Sequence, residues 1–417
     1  MNYFFIPGRI PSLSLCELFE SCRTKNLSLE LGTVSGVAFL AGLAENGDTA
    51  SLFYSLGGMI KYGVIVGREK SLDAAFSFIS NDLITNAPDS KKRTTFGISS
   101  YTVPQKGQKE NPRTLSFTVQ RAGIEIKKEF VREGASVRFV SPQKGECALS
   151  SVVVEKNHLL EEGNVEWVLI RDGDTWHIGK THGVQEFEQF SKRDWNRPHR
   201  DMEVGLLPPK LARMMINLSG THQDALLLDP FCGLGTVLQE ASLLGYTAIF
   251  GSDLEQKQID ATRENLEWLT RSTQNHSTIT ASILKKCDAR AIARCFPNTL
   301  FDAIITEPFL GPVMRERATT VNQKTIKDLC ALYIDSFREW KKILKKGSRV
   351  VVVLPVWIFR DKKTFMPCLK EIEKLGYTNK TIPPELTRFI QEKTDRNSII
   401  VAREDQHVGR ELFVLEN

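Results

Sequence analysis

The chain has 417 residues, 41% of them hydrophobic and 25% charged, with 55 basic against 50 acidic side chains and a net charge of +5. That length excludes a single ordinary core and calls for two or three domains. No apolar run nears the roughly 18 residues of a membrane span, and the charge excess permits a polyanionic partner without requiring one.

The N-terminus MNYFFIPGRIPSLSLCELFE lacks the basic start and long apolar core of a signal peptide. Eight scattered cysteines without a CxxC pair predict reduced thiols in a cytoplasmic protein, with no metal site and no disulfide framework.

In chain order, Asn2–Pro7 predicts a short strand before the turn signal Gly8-Arg9, and Ser14–Cys22 has helical spacing. Thr33–Leu43 and Gly57–Val66 predict strands. Ser71–Leu83 predicts a helix that opens a second unit. The run Lys91-Lys92-Arg93 precedes a strand at Thr94–Tyr101, and Val103–Arg113 predicts an exposed loop. Leu115–Phe130 is helix-like or mixed, while Ser136–Val140, Ser150–Glu155 and Val165–Arg171 predict strands. With no internal repeat, this half reads as a compact α+β region.

From Gln185 to Asp201, aromatic and basic residues without a period predict a linker. Pro208-Pro209-Lys210 opens a helix to about Leu218, since proline fits a first turn, and Gly220 is a plausible stop. Strands and helices then alternate: strand Ala225–Leu228, helix Thr236–Leu244, strand Thr247–Ser252, helix Glu255–Leu269, strand Thr278–Lys285, strand Ala303–Thr306, helix Lys324–Lys345, strand Arg349–Leu354 and helix Lys363–Leu375. Ser398–Ala402 and Glu411–Leu415 close the chain as a hairpin-like pair. This pattern predicts an α/β, Rossmann-like, mostly parallel sheet with an antiparallel edge hairpin.

The sharpest motif is Asp229-Pro230-Phe231-Cys232-Gly233-Leu234-Gly235-Thr236, in which an apolar strand runs into a Gly-x-Gly turn and then a helix. Glycines allow positive φ and close approach of backbone to a ligand. A dinucleotide fingerprint is incomplete, because Leu238 stands where the third glycine belongs. Asp229 would repel a pyrophosphate but attracts the positive amino or sulfonium end of S-adenosylmethionine. Asp253 ends the next strand about 20 residues on, where an acid receives ribose hydroxyls; locally it reads equally as a helix cap. Asp288, after the third strand, suits either the adenine amino group or a loop or cap.

Phe301–Thr306 leads into Glu307-Pro308-Phe309, an acid, a proline and a ring at the end of the fourth strand. In a doubly wound sheet that strand abuts the first, so its end faces the donor methyl. Methylating an exocyclic amine needs an acceptor for the amine and a flat surface for the base. Glu307, the Pro308 carbonyl and Phe309 fit those roles; a tight turn with a buried phenylalanine is the plain structural alternative.

These motifs resemble the amino-methylating branch of the S-adenosylmethionine methyltransferases, and most closely the THUMP-domain RNA methylases of the tRNA guanine-10 N2-methyltransferase type. Tyr3–Arg9 with Ser14–Leu18, Gly57–Lys61, Phe96–Ser99, Arg197-Pro198, Leu207–Ala212, and Asp405-Gln406 with Val408–Glu411 extend the likeness over nearly the whole chain. The resemblance implies Asp229, Phe231, Gly233, Gly235, Asp253 and Asp288 in the cofactor site, and Glu307, Pro308 and Phe309 in the catalytic turn. It implies a tRNA substrate gripped by the THUMP-containing half and an N2-methyl- or dimethylguanine product. One departure stands out: the family's Asp-Pro-Pro-Tyr turn reads Glu307-Pro308-Phe309-Leu310 here.

Phosphate contacts are expected from Lys91, Lys92, Arg93 and Arg197, with Lys106, Lys109, Lys192, Arg193 and Arg200 as further candidates; each cluster also suits a solvated face. The expected organisation is an N-terminal α+β domain (1–70), a THUMP-like RNA-binding domain (71–184), a linker (185–204) and a methyltransferase domain (205–417). Two rival readings keep the fold: a methyltransferase for another RNA or DNA amine, and an RNA-binding protein whose methyltransferase fold is catalytically impaired.

Overall fold

The computed structural model describes residues 1–44, 48–86, 93–105, 111–200, 206–272, 283–312, 314, 320–360, 362–390, 392–403 and 406–417. They form two compact units that are not consecutive stretches of chain. One holds Met1–Pro11, Asn26–Tyr54 and Gly58–Phe187, the other Ser12–Lys25, Ser55–Gly57 and Glu188–Asn417.

In the first unit, β1 (Asn2–Pro7), β2 (Leu29–Val34), β3 (Phe39–Leu43), β4 (Met59–Glu69), β5 (Thr94–Thr102), β6 (Val137–Val140), β7 (Val165–Asp172) and β8 (Thr175–Val184) form one sheet. Its order is β2-β3-β1-β4-β8-β7-β5-β6, so stretches 1–70 and 71–184 share it. β5 runs parallel to β6 and β7. Helices Leu72–Thr85 and Pro112–Arg132 bury Ile79, Val119 and Ile126 in one cluster with Trp167 and Ile178 of the sheet. Elsewhere in the sheet, Lys61 pairs with the fully buried Glu166, which also accepts from Ser99 Oγ (2.6 Å) and Thr181 Oγ1 (2.7 Å).

In the second unit, β9 (Leu226–Asp229), β10 (Ala248–Asp253), β11 (Ile283–Lys286), β12 (Phe301–Thr306), β13 (Leu344–Phe359), β14 (Lys362–Phe365), β15 (Thr378–Asn379), β16 (Ile399–Val401) and β17 (Val408–Glu416) form the other sheet. The order is β11-β10-β9-β12-β13-β17-β15, with β14 on β13 and β16 on β17. β9 to β13 pair in parallel, and β17 is antiparallel to β13 and β16. Between β9 and β12 the strand order reverses. That is the switch point where open α/β sheets leave a crevice beyond their carboxyl ends. The core between sheet and helices holds Ile304, Val352, Phe337 and Trp340, all fully buried.

Several expectations change. Ser150–Glu155 is not a strand: Ser150 Oγ accepts from Val153 N at 3.3 Å and caps the helix Ser151–Lys156. The β-branched run Val152-Val153-Val154 had suggested extended structure; the cap overrides it. The 185–204 stretch contains a helix, Phe187–Trp195. The long helix is Gln323–Trp340, and its expected last turn already belongs to β13. Lys362–Phe365 folds back on β13 as a strand, because Pro367 disfavours helix before it, and the helix begins only at Leu369. Cys287 and Cys295 are joined by a disulfide, against the expectation of reduced thiols; a spacing of eight carries no signature in the sequence. Among the described residues no helix is long and apolar enough to cross a membrane.

Candidate active site

The carboxyl end of β9 delivers Asp229 into the switch-point crevice, 3% exposed. Its Oδ1 accepts from Phe231 N (3.1 Å) within the turn and from Thr306 Oγ1 (2.6 Å) at the end of β12. Burial pushes the Asp229 carboxyl up to about 7; the bonds from Thr306 and Phe231 oppose this, and nearby Asp253 and Glu307 add to it. A carboxylate held so reluctantly gains from a cationic partner.

The turn that follows requires its glycines. Gly233 has φ +49° and Gly235 φ +80°, and a Cβ on Gly235 would lie 2.7 Å from Thr262 Cγ2. Thr262 Oγ1 donates to Gly233 O at 2.6 Å, and Asp253 Oδ2 accepts from Gly233 N at 3.1 Å. Asp253 therefore braces the turn, while its Oδ1 accepts from Glu255 N (3.0 Å) ahead of the next helix. Burial raises its pKa too. Of its two sequence readings, ribose-binding acid and helix cap, the bond from Glu255 N bears on the second.

Asp229, Phe231, Gly233, Thr236, Gln258 and Glu307 line one hollow. The strand before the glycine turn and the strand before the Glu-Pro-Phe turn thus open into a shared space. Glu307 is grasped by Arg410 of β17: Nη2 donates to Oε1 at 2.9 Å and Nε to Oε2, while Nη2 also donates to Leu206 O at 3.2 Å. Burial works against the Arg410 charge, yet Glu307 holds the guanidinium above its ordinary pKa. Pro308 is buried. Phe309 is 49% exposed and does not line this hollow; its carbonyl accepts from Tyr333 OH at 2.6 Å.

The model of RMKL-like methyltransferase domains (UPF0020) matches residues 197–382, which span the glycine turn, the Glu-Pro-Phe turn and the strands between them. Residues 197–382 are thus similar to a methyltransferase domain. The glycine turn and the acid-proline turn both border one hollow within that stretch.

The chain is 30% identical over 241 residues to the tRNA (guanine(10)-N2)-dimethyltransferase of Methanothermobacter thermautotrophicus, covering 55% of this chain and 65% of the relative. It is 29% identical over 156 residues to the tRNA (guanine(6)-N2)-methyltransferase of Thermus thermophilus, covering 36% and 39%. The matched stretches thus span less than two thirds of these relatives. The crystal structure of TrmN from Thermus thermophilus shares the fold over 100% of both chains, with a TM-score of 0.54 and 18% identity.

The other residues singled out from sequence divide sharply. Within the methyltransferase domain, Asp288 is occupied by Arg290: Oδ2 takes Nη2 at 2.7 Å and Oδ1 takes the backbone N at 2.8 Å. That bond holds its carboxyl below the usual range. Arg197 is not a surface phosphate contact: it is 3% exposed, with Nη1 on Thr236 Oγ1 at 2.8 Å. Arg193 is likewise buried, on Glu240. Both belong to the basic run that reads as a solvated linker, and sequence carries no sign of their burial. Arg93 is exposed; Lys91, Lys92, Lys106 and Lys109 lie outside the described residues. Thr306, Gln258 and Arg410 were missed, because no local pattern marks a residue that meets its partner only across the sheet. The Val408–Glu411 likeness was the one available pointer to Arg410.

Proposed function

We propose that this chain is an S-adenosylmethionine-dependent RNA methyltransferase acting in the cytoplasm on the exocyclic N2 of a guanine in tRNA, with position 10 the first site to examine. The observation that carries the reading is the single hollow shared by Asp229, Gly233 and Glu307. The relatives named above supply the substrate class.

The residues fit the donor. Two glycines at positive φ bare the backbone of the turn, and two carboxylates line the hollow, which suits a cationic ligand and repels a phosphate. Asp229 faces the positive end, the Gly233–Gly235 backbone cradles the amino-acid portion, Asp253 takes the ribose hydroxyls, and Asp288 lies toward the base. When bound, the donor supplies an electrophilic methyl group. Glu307 has lone pairs beyond those given to Arg410; these and the Pro308 carbonyl accept the amine N–H groups, and Glu307 takes the proton released. Phe309, on the surface beside this turn, offers a face for a base that has left its stack. The stretch 71–184 is the THUMP-like RNA-binding part, with Arg93 as a phosphate contact.

The test is nucleoside mass spectrometry of tRNA incubated with the protein and donor. N2-methyl- or dimethylguanine is expected; methyl on another base moves the substrate assignment. A second reading is favoured by one observation: the acid is clamped by Arg410, and the Phe309 ring lies off the hollow. An RNA-binding protein that retains a methyltransferase fold would bind donor and methylate no RNA.

A further inference from the structure

The basic segment Lys192–Arg200 holds a guanidinium with unmet hydrogen-bonding demand. Arg197 is 3% exposed, and only its Nη1 has a partner, Thr236 Oγ1. Its Nε and Nη2 are buried and without partners among the described residues. Leaving charged donors so is costly. Of the two carboxylates near enough to support its charge, Asp194 and Glu240, the second already takes Arg193 Nε at 2.6 Å and Arg213 Nη2 at 2.8 Å. One guanidinium is thus left in surplus in a place closed to water.

Arg197 is seated at the start of the helix Thr236–Leu243. That helix begins after Gly235, which is in the left-handed region and supplies no side-chain cap. Free first-turn N–H groups and the helix dipole favour an anion there. Thr236, which Arg197 holds, lines the hollow. The hollow is therefore lined by carboxylates at Asp229 and Glu307, while the Arg197 guanidinium stands behind its Thr236 edge.

We propose that Arg197 takes the α-carboxylate of the methyl donor, working with the first turn of the helix Thr236–Leu243. This rests on the donor reading given above and extends it to the ligand's orientation. S-adenosylmethionine carries two positive groups and one negative group. The charge pattern of the site sets the sulfonium toward Glu307 and the carboxylate toward Arg197. Burial lowers the Arg197 pKa, a cost that an anionic partner relieves.

The test is calorimetry on the full chain with S-adenosylmethionine, S-adenosylhomocysteine and decarboxylated S-adenosylmethionine, which keeps the amine and lacks the carboxylate. Wild type is expected to bind the decarboxylated ligand about 10- to 100-fold more weakly than S-adenosylmethionine, the scale of a charge-assisted bond. Arg197→Met should weaken both carboxylate-bearing ligands by a similar factor and leave the decarboxylated one unchanged. Thr236→Val, a milder change that frees Nη1, should shift affinity in the same ligand-selective direction.

Equal affinity of wild type for the two S-adenosylmethionine forms overturns the proposal without any variant. So does a loss in Arg197→Met that is the same for all three ligands. If wild type binds none of them, the donor reading itself falls and takes this inference with it.

Discussion

Asp229 carries opposite consequences for stability and for binding. Its folded-state pKa, about 7, lies above the ordinary 3.8, so the protein favours the protonated form. The stabilising contribution of that proton is complete below about pH 4 and is lost as pH rises to 7. Above that, burying the charge costs about 4 kcal/mol in the ligand-free protein. Asp229→Asn should therefore raise the urea midpoint at pH 8 and change it little at pH 4, while weakening donor binding. A pH-independent difference in midpoint would show that burial of the charge is not the cause.

At the catalytic turn, Glu307→Gln should lower methyl transfer about 10²- to 10⁴-fold, far more than it weakens donor binding. Alanine is the wrong substitution there, because it strands Arg410 beneath the surface at about 3–5 kcal/mol. Phe309→Ala should leave stability within about 0.5 kcal/mol and raise KM for RNA. Unchanged RNA kinetics would remove the ring from the mechanism. Asp253→Ala should weaken donor binding; equal affinity in both proteins would dismantle the site as drawn.

Among the elements, the sheet of the first unit depends on one buried ion pair. Lys61 donates to Leu149 O (2.6 Å) and to Glu166, joining β4 to β7 from the middle of the sheet. Burial opposes the Lys61 charge, but Glu166 and Tyr101 hold its pKa above the ordinary value. Lys61→Met should cost about 3–5 kcal/mol by leaving Glu166 unpaired, and adding Glu166→Leu should recover part of that loss. Thermal melts of the two variants check this; a double variant no better than the single one would contradict it.

The same pair shows what sequence could and could not reveal. Gly57–Lys61 and Phe96–Ser99 stood out as motifs, yet nothing in either said that Lys61 and Ser99 converge on Glu166. Strand period and turn glycines are local and were legible: Asn2–Pro7 begins and ends where read, and β9, the glycine turn and β12 fall within a residue or two of expectation. Illegible were features set by distant partners. The Arg410 clamp depends on register across β13 and β17, and the burial of Arg193 and Arg197 depends on helices later in the chain. Ser151–Lys156 was misread because three valines outweighed a single capping serine.

At the scale of the whole molecule, the second unit is completed by residues of the helix Pro11–Thr24. Glu17 Oε1 accepts from Asn217 Nδ2 at 2.7 Å, and Glu20 Oε1 accepts from Arg349 Nη1 at 2.7 Å. A fragment 188–417 lacks both acids, and each lost charge-assisted bond costs about 1–3 kcal/mol. Hydrogen exchange should find β12 and β13 less protected in that fragment than in the full chain. Equal protection would mean the N-terminal helix is dispensable.

That interleaving also bears on biosynthesis. The helix Pro11–Thr24 leaves the ribosome well before Arg349, to which Glu20 bonds across 329 residues of sequence. Contacts this far apart in sequence form slowly, so this helix waits unplaced while the residues up to Arg349 are made. A stalled or truncated polypeptide would expose that segment, making it a natural handle for chaperones and proteases that sort unfinished chains.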